Sequence, residues 1–351
     1  ELPPKSLLNL SAAFADGIAK GLKDAGVAYK SLEAFATPRR LAVRVRKLIE
    51  QQPDRPLEKR GPPVKAAFDV NGAPTQAAVA FARGCGVDVS ALEKIETPKG
   101  EWLVYRGTET GARTVDLLPA IVTAALEALP IARRMRWGAG EALFVRPVHW
   151  VLMLWGKDVV QTEILGQQAG NLTYGHRFMA PKALKVSSPA SYVTTLLKRG
   201  KVMADVNARR DSIRAGVTAA AARLDGIAVI DDALLDEVTG LVEWPVPLAG
   251  RFDPQFLELP AEVLIATMQE HQRYFPVRDA QGKLMPWFIT VANIESRDPS
   301  QVIAGNERVV RPRLTDAAFF YRTDRQHPLE AQVDALKRLT FQTQLGSQHD
   351  K

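Results

Sequence analysis

Leu41-Ala-Val-Arg-Val-Arg-Lys-Leu48 is the stretch that sets the fold class. Leu41, Val43 and Val45 fall on every second position, the period of a strand with one face toward a core. Arg40, Arg44 and Arg46 then share the opposite face. Just upstream the period changes. Leu7, Leu10, Phe14 and Ile18 recur at steps of three and four, so residues 6–22 are expected to form a helix, led in by Pro3-Pro4. Strand and helix signals thus sit side by side near the start of the chain.

The same two signals alternate outward from there. Residues 51–63 hold four prolines (Pro53, Pro56, Pro62, Pro63) and are expected to be a loop or linker. Residues 73–83 are expected to be helical and to stop at Gly84-Cys85-Gly86. Residues 101–106 follow as a strand, and 115–129 as a helix closed by Pro130. Residues 143–155 are apolar on both faces, as in the centre of a sheet, with Pro147 at the start or at a bulge. Val202, Val206, Ile213, Val217 and Leu224 mark one face of a long helix ending at Asp225-Gly226. Further helices are expected at 232–241, 262–274, 313–322 and 329–344, and strands at 227–230 and 287–294. The expected class is α+β: several modules with mixed β-sheets flanked by helices. The expected divisions are a basic α+β region at 1–140, a central α+β region at 141–325, and a helical region starting at 326–351.

Composition narrows the function classes. Of 351 residues, 46% are apolar and 24% charged, enough to bury a core and incompatible with a wholly disordered chain. The longest apolar run, Trp150 to Trp155, is far below the roughly 20 residues of a membrane span. Cys85 is the single cysteine, which excludes an intrachain disulfide framework and fits a reducing, cytoplasmic setting. Basic residues number 46 against 39 acidic, a net charge of +7. Residues 1–150 carry 22 basic and 16 acidic side chains, so the excess sits there. A basic surface favours polyanions such as RNA.

Familiar catalytic motifs are missing. There is no G-x-x-x-x-G-K-[ST] loop, no H-E-x-x-H and no G-x-S-x-G. His149, His176, His271, His327 and His349 show no ligand spacing, and with one cysteine no zinc site is expected. His349-Asp350 reads as a chance dipeptide on a helix. His271 shares a helical face with Leu264, Met268 and Phe275, and reads first as a core or interface histidine. The candidates for binding are basic. Arg133, Arg134 and Arg136 cluster beside Trp137, with Arg146 nearby. Guanidinium forks suit phosphates, and an aromatic plane can stack on an unpaired base. Arg40, Arg44 and Arg46 are the second group. Arg209, Arg210 and Arg214 are expected on the polar, solvent or interface side of their helix.

Several segments occur together in a recognisable order: Ala36-Thr-Pro-Arg-Arg-Leu-Ala-Val43, Arg60-Gly-Pro62, Met135-Arg-Trp-Gly138, Val145-Arg-Pro-Val-His-Trp150, Tyr174-Gly-His-Arg-Phe178, Gly240-Leu-Val-Glu-Trp-Pro245, Met268-Gln-Glu-His-Gln-Arg-Tyr-Phe275 and Arg313-Leu-Thr-Asp-Ala-Ala-Phe-Phe320. With them the chain resembles the beta subunit of the bacterial heterotetrameric glycyl-tRNA synthetase, from residue 1 to about residue 346. The resemblance implies an α2β2 enzyme that joins glycine to tRNA-Gly with ATP and Mg at a class II active site in the alpha subunit. It implies no catalytic residue or cofactor in this chain, and the residues themselves lead to the expectation of no metal site and no membrane span. It also implies an N-terminal piece ending where an HD-like domain begins, with a middle portion similar to the B3/B4 module of the phenylalanyl synthetase beta chain. The residues agree with that division of labour. Val145-Arg-Pro147 is similar to an arginine-bearing class II strand, but Val148 stands where a glutamate is expected, and the class I HIGH and KMSKS signatures are absent. Two rivals are a self-contained enzyme centred on His271, Glu262 and Glu270, and a structural subunit that touches no RNA.

Overall fold

The computed structural model describes residues 1–338 apart from Val70, Lys99 and His327, together with the backbone of 340–342 and 346–347. The protein is α+β, with several small mixed sheets flanked by helices. It divides into two compact units. One comprises Glu1–Ala12, Ala34–Ala42 and Pro130–Lys351, and the other Ala13–Glu33 and Val43–Leu129.

The smaller unit is built on a three-stranded antiparallel sheet in which Gly100–Glu109 is central, between Arg55–Pro63 and Glu93–Thr97. Residues 55–63 are therefore a strand, where four prolines led to the expectation of a loop. The strand lies at the sheet edge, where a residue without an N–H costs least, and its register breaks between Arg60 and Pro63. Leu103, Ala67 and Ala78 are buried between this sheet and the Val64–Ala67 and Gln76–Cys85 helices. Gly86 ends the latter helix in the left-handed conformation, φ +73°, as the Gly-Cys-Gly stop implies. The Leu7–Asp24 helix approaches Thr114–Glu127 through two glycines. A Cβ on Gly17 would lie 2.9 Å from the Ala125 Cβ, and one on Gly21 would lie 2.6 Å from the Ile121 Cγ2.

The larger unit has a four-stranded antiparallel sheet ordered Ile227–Ala228, Phe275–Arg278, Leu284–Ala292, Val246–Arg251. Helices Val206–Ala222 and Asp232–Thr239 cover one face, burying Ile213, Val217 and Leu235 against Phe275, Val277 and Ile289. Ala261–Ala266 and the long Pro299–Asp324 helix cover the other, burying Leu264, Met268, Val310 and Leu314 against Leu284 and Phe288. Phe288 and Ile289 are adjacent in sequence and enter opposite cores, as strand alternation requires. Each fully buried side chain of this size stabilises by roughly 1.5–3 kcal/mol.

Four other expectations are corrected in this unit. Residues 143–155 are not one central strand. They break into Leu143–Phe144, Val151–Leu152 and Leu154–Trp155, each paired with a different neighbour. Pro147 has no ladder donor and interrupts the run. The helix expected through Val202 starts only at Val206, where the Asp205 carboxylate accepts from the Ala208 N–H, 3.0 Å. Residues 262–274 are α-helical only to Ala266 and then form a π turn, Thr267–His271. The wider turn rotates the following residues, so Met268 is buried while His271 is exposed. Near the end, Val333–Leu336 is helical, but Thr340–Gln342 pairs with Gly346–Ser347 as strands. His327, His349 and Asp350 lie outside the described residues.

Candidate nucleic-acid interface

Arg133, Arg134, Arg136 and Trp137 come together on one surface hairpin. Thr114–Glu127 ends before Pro130, and the chain then runs through the arginines into Met135–Arg136. That short strand pairs with Leu143–Phe144, Met135 opposite Phe144 and Arg136 opposite Leu143, across a turn in which Gly138 has φ +58°. Phe144 is buried and anchors the hairpin, while Met135 and Leu143 remain exposed. Arg133 and Arg136 are exposed, and Arg134 and Trp137 are half-buried. Arg136 Nη1 lies 3.2 Å from the Glu141 carboxylate, with both side chains in solvent. Such a pair is worth about 0–1 kcal/mol and yields readily to a phosphate.

The second group divides. Arg44 and Arg46 both fork onto Glu33: the two Nε donate at 2.8 and 2.7 Å to Oε2, and the two Nη2 at 3.0 and 3.3 Å to Oε1. Arg44, then Arg46, holds the Glu33 carboxyl down at about 2. Two guanidiniums thus share one carboxylate. Arg40 is not with them: it is 6% exposed and belongs to the larger unit.

There Arg40 joins a constellation that spacing did not reveal. Its Nη1 donates to Glu243 Oε1 and, at 3.0 Å, to Thr37 Oγ1, and its Nη2 donates to the Tyr174 carbonyl at 2.9 Å. Glu243 is 1% exposed and also accepts from Thr37 Oγ1 at 2.6 Å. Arg39 lies 3.6 Å from the second Glu243 oxygen and donates to the Gly175 carbonyl at 3.0 Å. Both guanidiniums stand over the Trp150 ring, 5.8 and 5.9 Å from its centroid. Four sequence motifs, around residues 37–40, 150, 174–175 and 243, thus meet at one buried carboxylate. Arg209 lies close by and was likewise missed. Expected on a polar face, it is fully buried and donates to the carbonyls of Thr239, Met203 and Ala36, the first at 3.1 Å and the last at 2.8 Å. Burial pulls its guanidinium down to about 10, so it stays charged at neutral pH. Arg210 and Arg214 do face outward, paired with Asp232 and Asp236.

Groups for metal chemistry are not assembled: among the described residues no three His, Cys, Asp or Glu side chains are placed to hold an ion. No described helix is long and apolar enough to cross a membrane.

Comparison with known proteins gives these features a context. The family profile described as glycyl-tRNA synthetase beta subunit matches residues 1–351. Over its whole length the chain is 56% identical to the glycine–tRNA ligase beta subunit of Marinobacter nauticus, 55% to that of Hahella chejuensis and 52% to that of Edwardsiella ictaluri. It spans about half the length of these relatives, 51% in each case. With the family profile matching residues 1–351 and more than half of the residues identical over the full chain, the chain belongs to the glycyl-tRNA synthetase beta subunit family.

Proposed function

We propose that this chain is the N-terminal part of a glycine–tRNA ligase beta subunit that helps bind and position tRNA-Gly, assembled with an alpha subunit that performs the ATP- and Mg-dependent attachment of glycine. Family membership over the full chain supports the reaction and the partner, through the name its relatives carry. The observation that carries the RNA contact is the Met135–Phe144 hairpin. It holds Arg133 and Arg136 in solvent, with Trp137 half-buried next to Arg136 in sequence.

Replacing Arg133, Arg134 and Arg136 together with Ala should weaken tRNA binding by the assembled enzyme. Each lost phosphate contact flattens the log–log dependence of affinity on salt by roughly 0.7–0.9, so about two units of slope should disappear. Fluorescence titrations of tRNA-Gly at several salt concentrations measure this. Unchanged affinity and slope would reassign the hairpin to solvated surface or to a subunit contact. A separate expectation concerns catalysis. Expressed without the alpha subunit, this chain should give no glycine-dependent exchange of pyrophosphate into ATP, and measurable exchange would refute the proposed division of labour.

A further inference from the structure

Between Glu163 and Asp205 the chain carries no carboxylate side chain, and its charged residues are Arg177, Lys182, Lys185, Lys198, Arg199 and Lys201. This one-signed stretch is also one piece of structure within the larger unit. Leu172–Tyr174 pairs with Ala183–Lys185 as a small hairpin, and the Tyr192–Gly200 helix packs on it through Leu184 and Leu196. The helix end returns to the hairpin: the His176 N–H donates to the Gly200 carbonyl at 2.7 Å. Arg177, Lys182, Lys185, Lys198 and Arg199 are all exposed. Lys201 is committed to Glu295 at 3.2 Å and to the Trp244 ring, and Arg177 lies 3.6 Å from Glu1, both in solvent. Among the described residues no carboxylate pairs with Lys182, Lys185, Lys198 or Arg199.

Phe178, within this stretch, is 73% exposed. Exposure of one large apolar side chain is ordinary. The support beneath this one is not. The loop that carries it is held by Arg40 on the Tyr174 carbonyl and Arg39 on the Gly175 carbonyl, the arms of the buried Glu243 constellation. His176 is 2% exposed, and its Nδ1 faces the backbone N–H groups of Phe178 and Met179 at 3.3 and 3.2 Å, which fixes the turn. Gly175 leaves room for the crossing. A Cβ there would lie 2.6 Å from the carbonyl oxygens of both Ala180 and Gly200. The loop conformation is therefore set in advance, and its outcome is an aromatic ring presented to solvent within a carboxylate-free stretch.

We propose that residues 172–201 form a second RNA-contacting surface, on which Phe178 stacks against an unpaired base while Arg177, Lys182, Lys198 and Arg199 hold the phosphates beside it. The chemistry selects the ligand: a polyanion matches exposed cations that no described carboxylate pairs with, Lys182, Lys185, Lys198 and Arg199, and a single exposed ring suits a base plane. Sequence-tolerant recognition of single-stranded or looped RNA combines these two elements. The inference rests on the reading that this family member binds tRNA, but not on the Arg133–Arg136 hairpin.

The test compares tRNA-Gly binding by full-length beta subunit assembled with alpha, at several salt concentrations. The variants are Phe178→Ala, Phe178→Trp, Arg177→Ala/Lys198→Ala/Arg199→Ala, and the hairpin triple. Thermal unfolding shows that each is folded. Phe178→Ala should lose affinity by roughly tenfold with an unchanged salt slope, because stacking releases no counterions. Phe178→Trp should restore most of that loss. The cationic triple should flatten the slope by about two units. If the parent enzyme binds tRNA and the hairpin triple weakens it while both sets of variants in 172–201 bind normally, this inference is overturned and the proposed function stands. If the cationic triple leaves tRNA binding intact but separates beta from alpha, the surface is a subunit contact and the inference is again overturned. If the parent enzyme itself fails to bind tRNA, the broader reading falls, and this one with it.

Discussion

Replacing Glu243 with Ala should cost the larger unit about 3–5 kcal/mol, the usual penalty for removing one partner of a buried ion pair. The reason is what stays behind. Arg40 would remain 6% exposed with its charge uncompensated, and Thr37 Oγ1 would lose its acceptor. Glu243→Gln keeps an acceptor for Thr37 but not the charge, so its cost should be smaller and still clear. Arg40→Met/Glu243→Leu should recover much of the loss, because two desolvated ions are removed together. Urea unfolding followed by circular dichroism reads all three. A midpoint for Glu243→Ala within error of the parent would mean that the carboxylate is hydrated rather than sealed in. The expected effect reaches function through Tyr174 and Gly175, since the loop carrying Phe178 hangs on the same arginines.

How this site escaped sequence reading is instructive. Periodicity reports which face of one element is apolar. It located the Leu7–Asp24, Gln76–Cys85, Thr114–Glu127 and Asp232–Thr239 helices, because each buries a single face, and alternation or an apolar run located the Arg40–Arg46, Gly100–Glu109 and Leu284–Ala292 strands. It failed where a second constraint overrode the pattern. Residues 55–63 pair at a sheet edge despite their prolines, and Pro147 cuts an apolar run that otherwise reads as one strand. Glu243 and Thr37 are 206 positions apart, and nothing local to either announces the other. Charge counted over long windows also hid a feature. Residues 151–250 hold 11 basic and 10 acidic side chains, which conceals the carboxylate-free stretch from 164 to 204. A finer window would have found it. The hairpin of Arg133, Arg134, Arg136 and Trp137 was legible as a cluster because its members are neighbours in sequence. Arg40 was not separable from Arg44 and Arg46, since alternation gives the three the same parity and only the tertiary position of Glu243 divides them.

Arg209 is the case in which a signal was present, and it leads to the second large effect. Val206, Arg209, Ile213 and Val217 follow one another at steps of three, four and four, so the arginine lies on the apolar stripe of its helix. A cation there must either leave the core or find acceptors within it. Arg209 finds three, the carbonyls of Thr239, Met203 and Ala36, from separate segments of the larger unit. Methionine matches the length of the side chain and supplies no donor. Arg209→Met should strand those carbonyls at about 1–3 kcal/mol each, less whatever relaxation and the relief of a buried charge return. A net loss of about 3–5 kcal/mol is expected, a drop of roughly 6–20 °C in the midpoint of a unit this size. Arg209→Lys should recover little, since one ammonium cannot reach three acceptors that a planar fork spans. Arg209 also feels Glu243 electrostatically. The two substitutions should therefore fail to add, with a coupling of about 0.5–3 kcal/mol in a double-mutant cycle. Strict additivity in calorimetry would show that Arg209 pins the backbone independently of the carboxylate. A departure from it would make Arg40, Glu243 and Arg209 one cooperative support beneath the Tyr174–Phe178 loop.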